Sequence, residues 1–277
     1  THKISWLALI ALTMVVVALL LSCNDGDPPV GPRPVKDYPV YFADPDGGTQ
    51  IFAFYPAARR VDSANVPWDA REGITVSPDG RLLYLAGRSE INVITSDSLT
   101  LIKTLPYAPD GAVAVSPDGR YVAIPGDSLV MLRADNYAVL YTDSSAVQRG
   151  VFSSNSERYY ASGLTDDGVS DIFKLDLTTS PFSASRIQVS LGSVYSVRPA
   201  LDESRLLLYL RLPPLWTWAF CVFDLDADSI LFTEVLVPGA GETAVSPNGR
   251  FAFYSNPGRS VTDPPPNFNF RDRKSVV

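Results

Sequence analysis

The stretch from Ala112 to Gly126 reads AVAVSPDGRYVAIPG, and its central SPDGR also occurs at residues 77–81. Proline at the second position of a turn presets φ, serine at the first position can bond back to the backbone, and glycine suits the fourth position. Short apolar runs flank the turn on both sides, as in a β-hairpin. The motif therefore predicts a hairpin turn, in which Asp79 and Asp118 form the turn and have no catalytic or metal-binding role.

The motif is part of a longer repeat. Five segments align on arginines spaced by roughly forty residues, and a period of this length with β-type patterning is typical of propeller blades that have four strands each. After residue 37 no stretch keeps a helical period over three turns. The sequence therefore predicts an all-β fold, a β-propeller of four-stranded antiparallel blades with five recognisable repeats. The aligned arginines are Arg81, Arg120, Arg158, Arg205 and Arg250.

The strands of one blade can be located directly in the second repeat. Each predicted strand is a run of four or five residues rich in valine, leucine, isoleucine and tyrosine, and turn residues separate the runs. The predicted strands are 112–115, 121–124, 129–133 and 138–142.

The repeats resemble the YVTN-type β-propeller repeats of bacterial surface proteins and, as a close second, the repeats of the Tol-system propeller. The turn motif of that family matches VSPDGR at 76–81 and at 115–120, and VSPNGR at 245–250. Its following strand is matched by LLYLAG, YVAIPG and FAFYSN, and its later strand by INVITSD, DIFKLDL and CVFDLDA. The resemblance covers residues 38 to 271 and implies the fold alone, because propellers carry enzymes, scaffolds and receptors alike.

The two ends of the repeat region do not match each other. Residues 38–62 correspond to the second, third and fourth strands of a blade without its first, so this partial blade is expected to take its missing strand from beyond the last repeat. The fifth repeat is still entering its late strands when the sequence reaches Val277, and one back-translation of the final DRKSVV matches a sequencing-library adapter. We therefore expect a C-terminally truncated propeller over residues 38–271 and a non-native tail over 272–277.

The N-terminal residues are typical of a lipoprotein signal peptide, predicted here over residues 1–22. Lys3 precedes an apolar run from Ile4 to Leu21, and the sequence ending at Cys23 resembles the bacterial lipobox, which implies a lipid attached to Cys23. An uncleaved membrane anchor is the alternative, since the run is about the ~18 residues that span a bilayer. Residues 23–37 are rich in proline and glycine and predict an extended tether. These features predict a lipid-anchored protein of the bacterial cell envelope that faces the periplasm or the cell surface.

Composition excludes several classes of site. The net charge of −7 and the pI near 4.7 argue against a nucleic-acid partner, which would require clustered lysine and arginine. The only histidine, His2, lies in the removable segment, so the mature chain would lack Ser-His-Asp and Cys-His nucleophiles and any His-ligated metal or haem. Cys221 would then be the one remaining thiol, and its apolar strand context predicts a buried packing role.

The candidate binding residues lie on the rim formed by the loops between second and third strands and by the segments that link blades. These loops vary widely, and variable loops on a rigid scaffold tend to carry function. Their aspartates, with Asp171, are candidates for a calcium site, with solvated turn residues as the alternative. Their tryptophans are candidates for stacking on a sugar or on a partner's side chain, with packing between blades as the alternative. The candidates are Asp44, Asp46, Trp68, Arg149, Asp166, Asp167, Trp216 and Trp218.

Two functions follow from this organisation. The first is a non-enzymatic surface lipoprotein whose rim binds a protein, a peptide or a glycan, with no cofactor other than the calcium considered above. The second is a secreted propeller hydrolase or lactonase that uses carboxylates, with or without a divalent ion. The sequence favours the binding module, because no convergent group of acidic residues is visible in it.

Overall fold

The computed structural model describes residues 39–43, 49–163, 171–189, 192–200, 204–212, 217–236, 243–245 and 252–254. These residues form strands and turns, and no helix occurs among them. The described residues therefore include no helix that is long and apolar enough to cross a membrane. The predicted signal peptide, Cys23, the tether and the 272–277 tail lie outside the described residues.

The described strands form six antiparallel sheets in chain order. The first sheet has three strands: β1 (Val40–Ala43), β2 (Gln50–Tyr55) and β3 (Arg60–Asn65). The second contains β4 (Gly73–Val76), β5 (Leu82–Ala86), β6 (Ile91–Thr95) and β7 (Leu101–Leu105). The third contains β8 (Ala114–Val115), β9 (Tyr121–Ile124), β10 (Leu129–Arg133) and β11 (Val139–Asp143).

The remaining sheets continue the pattern. The fourth contains β12 (Val147–Phe152), β13 (Arg158–Gly163), β14 (Asp171–Asp176) and β15 (Ser183–Gln188). The fifth contains β16 (Ser193–Pro199), β17 (Arg205–Leu212), β18 (Thr217–Asp224) and β19 (Ser229–Leu236). In the sixth, β20 (Thr243–Val245) pairs with β21 (Ala252–Tyr254).

The sheets lie side by side with their first strands in series. β4 contacts β8, β8 contacts β12, β12 contacts β16 and β16 contacts β20, while the later strands of each sheet lie progressively further out. This is the arrangement of propeller blades around a central axis. The predicted all-β propeller of four-stranded antiparallel blades is therefore confirmed.

The first strand of the third sheet is shorter than predicted. Ala114 pairs with Ala123, so continuing the ladder by two residues would place Ala112 opposite Pro125. Proline has no N–H to donate to a ladder, which explains why pairing stops at Ala114. The middle two strands of this repeat match their predicted bounds, and the last begins one residue late, at Val139.

The three-stranded first sheet corresponds to the second, third and fourth strands of a blade. The Tyr41 hydroxyl, near the start of β1, donates to the carbonyl of Ser96 in the turn between β6 and β7, at 3.5 Å. In the same way Tyr121, at the start of β9, packs edge-on against Phe182 in the turn before β15, with ring centroids 5.9 Å apart. Since β9 is the second strand of its blade, β1 occupies the second position as well.

The SPDG turn has the predicted geometry. The Ser116 carbonyl accepts the Gly119 N–H at 2.8 Å, and the Ser116 hydroxyl accepts the Tyr121 N–H at 2.9 Å while donating to Asp118 at 2.7 Å. Gly119 has φ of +74°, a left-handed conformation that favours glycine. The turn at 77–80 repeats these bonds.

The third repeat keeps this geometry although its sequence is SSNSER. Ser153 accepts the Ser156 N–H through its carbonyl and the Arg158 N–H through its hydroxyl, at 3.0 and 2.9 Å. Asn155 takes the place of the aspartate, and Ser156 takes the left-handed position with φ of +64°. The Ser156 hydroxyl accepts the N–H of Asp118 at 3.0 Å, so turns of neighbouring blades are joined. The turn is a structural device of the blade, as predicted.

The apolar core lies between successive sheets. Tyr84 and Val93 of the second sheet pack with Val122 and Leu132 of the third, and similar clusters join the first sheet to the second, the third to the fourth and the fourth to the fifth. Cys221 is fully buried in the cluster between the fourth and fifth sheets, where burial raises the pKa of its thiol. The predicted packing role of this cysteine agrees with its position.

Candidate binding site at the mouth of the inner strands

A pocket of about 490 Å³ lies where the first strands of four blades begin. We call it the mouth pocket and define it by its lining residues. They are Arg71, Glu72, Asp110, Gly111, Gln148, Arg149, Tyr195, Ser196, Tyr209 and Trp218. The SPDG-type turns follow the opposite ends of the same strands, so the pocket and the turns lie on opposite faces of the molecule.

Two β-bulges direct side chains into this pocket. In β12, Gln148 pairs with Ser162 and Gly150 pairs with Ala161, which leaves Arg149 as the extra residue. In β16 the register shifts in the same way around Tyr195. Both bulged residues are exposed and line the pocket, and Arg149 has φ of +21°, an unusual value for a residue with a side chain. Bulges of this kind commonly redirect a side chain next to a functional site.

Aromatic rings form one wall. Tyr209 and Trp218 stack with centroids 4.7 Å apart and planes 3° from parallel, and Tyr195 meets Trp218 edge-on at 4.7 Å. The guanidinium of Arg211, opposite Trp218 in the β17–β18 ladder, lies 5.7 Å from the Trp218 ring centroid. Tyr195 is 39% exposed, so its ring is available to a ligand. The wall combines a rigid stack with one accessible aromatic surface.

Charged groups from successive blades surround the aromatic wall. Asp110 accepts a hydrogen bond from the side-chain amide of Gln148 at 3.1 Å, although the two residues are 38 positions apart in the sequence. Arg71 pairs with Asp69 at 3.3 Å. A Cβ added at Gly111 would lie 3.4 Å from Cγ of Arg149, so the arginine extends over the preceding blade. Guanidinium, carboxylate and amide groups from successive blades therefore lie together at the mouth.

The structure brings together two of the predicted binding residues, Arg149 and Trp218. Trp68 instead packs beside the apolar cluster of Ile51 and Leu83 and does not line the mouth pocket. The alternative prediction was that every second residue of the tryptophan segment packs between blades. This packing occurs on the opposite side of β18, where Ala219, Cys221 and Phe223 join the core. The candidates Asp44, Asp46, Asp166, Asp167 and Trp216 lie outside the described residues.

Asp171 is the one predicted calcium ligand within the described residues. It is buried at the start of β14 and forms an ion pair with Arg186. A Cβ at Gly163 would come within 2.0 Å of its Oδ1, so the glycine makes room for this carboxylate. The carboxylate of Asp171 is therefore paired with the guanidinium of Arg186 within the fourth sheet.

The described carboxylates do not gather into a larger acidic site. Over the described ranges, no group of three or more His, Cys, Asp or Glu side chains could hold a metal ion. The pKa values of five aspartates lie below the ordinary value, and none of the five lines the mouth pocket: Asp79, Asp97, Asp118, Asp143 and Asp176. The carboxylate hydrolase and the calcium site remain predictions.

A second and larger cavity, of about 630 Å³, lies on the turn-bearing face between the third and fourth sheets. Tyr121, Phe182 and Leu140 line it together with Arg120 and Arg133. Arg120 is already paired with Asp118 of its own turn. The sequence placed the candidate binding residues on the opposite rim and did not predict this cavity.

Sequence reasoning also missed Tyr195, Tyr209, Glu72 and Asp110 at the mouth. Tyr195 lies within β16, and nothing in the residue pattern shows that this strand bulges there. Arg71 and Glu72 fall in a segment that links two blades, and such segments belong to the predicted rim, so their proximity to the mouth was detectable.

No protein-family model matches the sequence, and no curated protein matches it. Solved structures do. The chain is similar to hydrazine synthase of Kuenenia stuttgartiensis, with 14% identity over 83% of this chain and 77% of that one and a TM-score of 0.62. It is also similar to the dihydro-heme d1 dehydrogenase NirN, with 17% identity, 82% and 51% coverage and a TM-score of 0.58.

A third similar structure is the β-propeller domain of Cps50 (Swd1) from Myceliophteria thermophila, with 12% identity, 66% and 60% coverage and a TM-score of 0.56. The chain thus spans about half of NirN and somewhat more of the Cps50 domain. At these identities the likeness shows the fold alone. By fold, the chain is similar to β-propeller proteins.

Proposed function

We propose that this chain is a lipid-anchored, extracytoplasmic binding module of the bacterial cell envelope, which captures its ligand in the mouth pocket. The observation that carries the proposal is the pair of β-bulges at Arg149 and Tyr195. Each bulge interrupts an otherwise regular inner strand, and each directs its exposed side chain into the same pocket. Two exposed bulged residues from neighbouring blades that line one pocket are typical of a binding site.

The size and position of the pocket support the same proposal. Its volume falls within the range of small-molecule sites, roughly 300–1,000 Å³. It is assembled from four blades, so a ligand there would contact residues that only the folded propeller brings together. Its lining combines stacked aromatic rings with charged and amide groups, which is the composition of a recognition site.

The anchor is proposed from the sequence of residues 1–37. A lipid on Cys23, followed by a proline-rich tether, would hold the propeller in water close to a membrane. The full chain should therefore fractionate with membranes and take up a labelled fatty acid in a bacterial host, and Cys23→Ser should lose both properties. Unchanged membrane retention with Cys23→Ser would instead indicate an uncleaved N-terminal anchor.

Binding at the mouth can be tested without knowing the ligand. We would screen the detergent-extracted full chain by thermal shift against separate sets of neutral oligosaccharides, acidic oligosaccharides and short peptides, since a ligand that binds the folded state raises its melting temperature. The proposal expects at least one hit that Arg149→Ala abolishes and that Arg133→Ala, a change at an exposed arginine of the opposite face, leaves intact. Hits that ignore Arg149, or no hit in any set, would overturn it.

A further inference from the structure

We propose that the mouth pocket recognises an uncharged saccharide, an inference that rests on the proposed binding function. Three features of the lining lead to it: the balance of charges, the mixture of hydrogen-bonding groups and the exposed aromatic ring beside them. Each is considered in turn below.

The charges around the pocket cancel. Two guanidinium groups, Arg71 and Arg149, face two carboxylates, Glu72 and Asp110, among the lining residues. Beyond the lining, Asp69 is paired with Arg71 and Arg211 lies beside Trp218, which adds one charge of each sign. An anionic ligand would therefore meet two carboxylates and a cationic ligand two guanidinium groups. An uncharged ligand avoids both repulsions.

The polar groups suit ligand hydroxyls. A hydroxyl both donates and accepts, whereas a guanidinium only donates and a carboxylate only accepts. The lining offers both kinds of group, and the Gln148 amide adds a group that both donates and accepts. Charge-assisted hydrogen bonds of this type are the stronger ones available to a neutral ligand. A polyhydroxylated molecule would use such a lining fully.

The aromatic wall suits the apolar face of a sugar ring. Tyr195 presents an exposed ring and is held edge-on against Trp218, which is itself stacked on Tyr209. The stack fixes the orientation of Tyr195, so little conformational entropy would be lost when a flat ligand packs on it. A pyranose has an apolar C–H face and a polar hydroxyl rim, which match the two sides of this pocket.

The experiment is a titration of the detergent-extracted full chain, followed by tryptophan fluorescence and calorimetry. The probes are cellotetraose, xylotetraose, maltotetraose and tetra-N-acetylchitotetraose, with tetragalacturonate and a tetra-alanine peptide for comparison. The inference expects at least one neutral tetrasaccharide to bind with a Kd that changes less than about twofold between low and high salt, since no ligand charge is screened. Tyr195→Ala should weaken that binding at least about tenfold through loss of the aromatic contact.

Two matched variants keep the result interpretable. Tyr195→Phe retains the ring and should retain most of the affinity, and Tyr121→Ala, on the opposite face, should leave the affinity unchanged. If only tetragalacturonate or the peptide binds in a Tyr195-dependent manner, the saccharide inference is wrong and the proposed binding function stands. If a neutral tetrasaccharide binds but ignores Tyr195, or if none binds, the inference is overturned as well. The proposed function is tested separately. It is overturned if the broader screen yields no hit whose binding depends on Arg149.

Discussion

The two ends of the inner strands differ in a consistent way. At the turn end, Ser77, Ser116 and Ser153 make the same hydrogen bonds in three successive blades, even where the adjacent residues of the turn differ. At the mouth end the lining residues differ between blades, with Glu72, Gly111, Arg149 and Tyr195 among those that successive blades contribute, and two strands lose their regular register. A uniform end serves the fold, whereas an end that varies from blade to blade is free to serve binding. The variants below test how far this division holds.

The largest effect is expected at the mouth end itself, from Gly150→Ala. A Cβ at this position would lie 1.9 Å from the Tyr159 hydroxyl and 2.2 Å from its Cζ, and Tyr159 is fully buried. Overpacking of this kind costs about 1–3 kcal/mol, and we expect the upper part of that range because the ring has no room to move. Urea unfolding measures the change in the free energy of unfolding.

Tyr159→Phe is the companion variant for the same contact. The Tyr159 hydroxyl has no hydrogen-bond partner in the described part of the chain, so its removal should leave stability unchanged or slightly higher. A Gly150→Ala protein as stable as the wild type would show that Gly150 does not hold the scaffold at the mouth.

The next effect is expected at the turn end, from Ser116→Ala. The Ser116 hydroxyl is buried and accepts the N–H of Tyr121, so its removal leaves a backbone donor without that partner, at a cost of about 1–3 kcal/mol. Ser183→Ala, at an exposed position of β15, should stay within about 0.5 kcal/mol of wild type. Equal urea midpoints for the two variants would remove the structural role assigned to the turn serine.

A smaller effect concerns pH, through the turn aspartates. Hydrogen bonds from Ser77 and from the Arg81 N–H hold the pKa of Asp79 below its ordinary value. Burial alone would raise the pKa of Asp118, but hydrogen bonds from Ser116 and Arg120 also bring it below the ordinary value. A lowered pKa in the folded state means that the stability gained is present above the unfolded pKa of about 3.9 and is lost as the pH falls through the folded value.

Asp79→Asn with Asp118→Asn tests this dependence, because Asn155 already fills the same position in the next blade. We expect the double variant to lose less stability than wild type between about pH 4 and pH 2, measured by thermal unfolding at each pH. Parallel curves for the two proteins would contradict the assignment of these carboxylates as turn-stabilising ions.

Much of this architecture was predictable from the residues, for a physical reason. The turn requires serine or an equivalent acceptor, an Asx side chain and a residue tolerant of positive φ, so the motif recurs visibly in most of the repeats. The strand runs between turns then follow from their β-branched and aromatic content. The short length of β8 could also have been predicted. A longer β8 would pair Ala112 with Pro125, and proline has no N–H to donate.

The mouth pocket was only partly predictable. Arg149 and Trp218 were found because they lie in variable rim segments. Tyr195 was not found, because a bulge depends on which residues pair across neighbouring strands. The alternation of residues along one strand does not show where a single extra residue is inserted. The contact between Asp110 and Gln148 likewise exists only because two blades meet.

The smallest effect on stability is expected from Arg149→Ala, compared with Arg133→Ala. Both side chains are exposed, so each variant should unfold within about 0.5 kcal/mol of wild type. The two variants should differ only in ligand binding, which Arg149→Ala loses and Arg133→Ala keeps. A large stability loss from Arg149→Ala would mean that the bulge serves the fold and would weaken the contrast between the two ends.

The central claim is that ligand enters at the mouth, and the most direct measurement is fluorine NMR of the full chain labelled with 5-fluorotryptophan. Trp218 lines the mouth pocket and Trp68 packs beside the apolar cluster of Ile51 and Leu83, so the chain contains both a reporter and an internal reference, assigned by Trp→Phe variants. During titration with the neutral tetrasaccharides, we predict that the Trp218 resonance shifts and the Trp68 resonance stays fixed. A shift confined to Trp68, or a saturating titration that moves neither resonance, would contradict binding at the mouth.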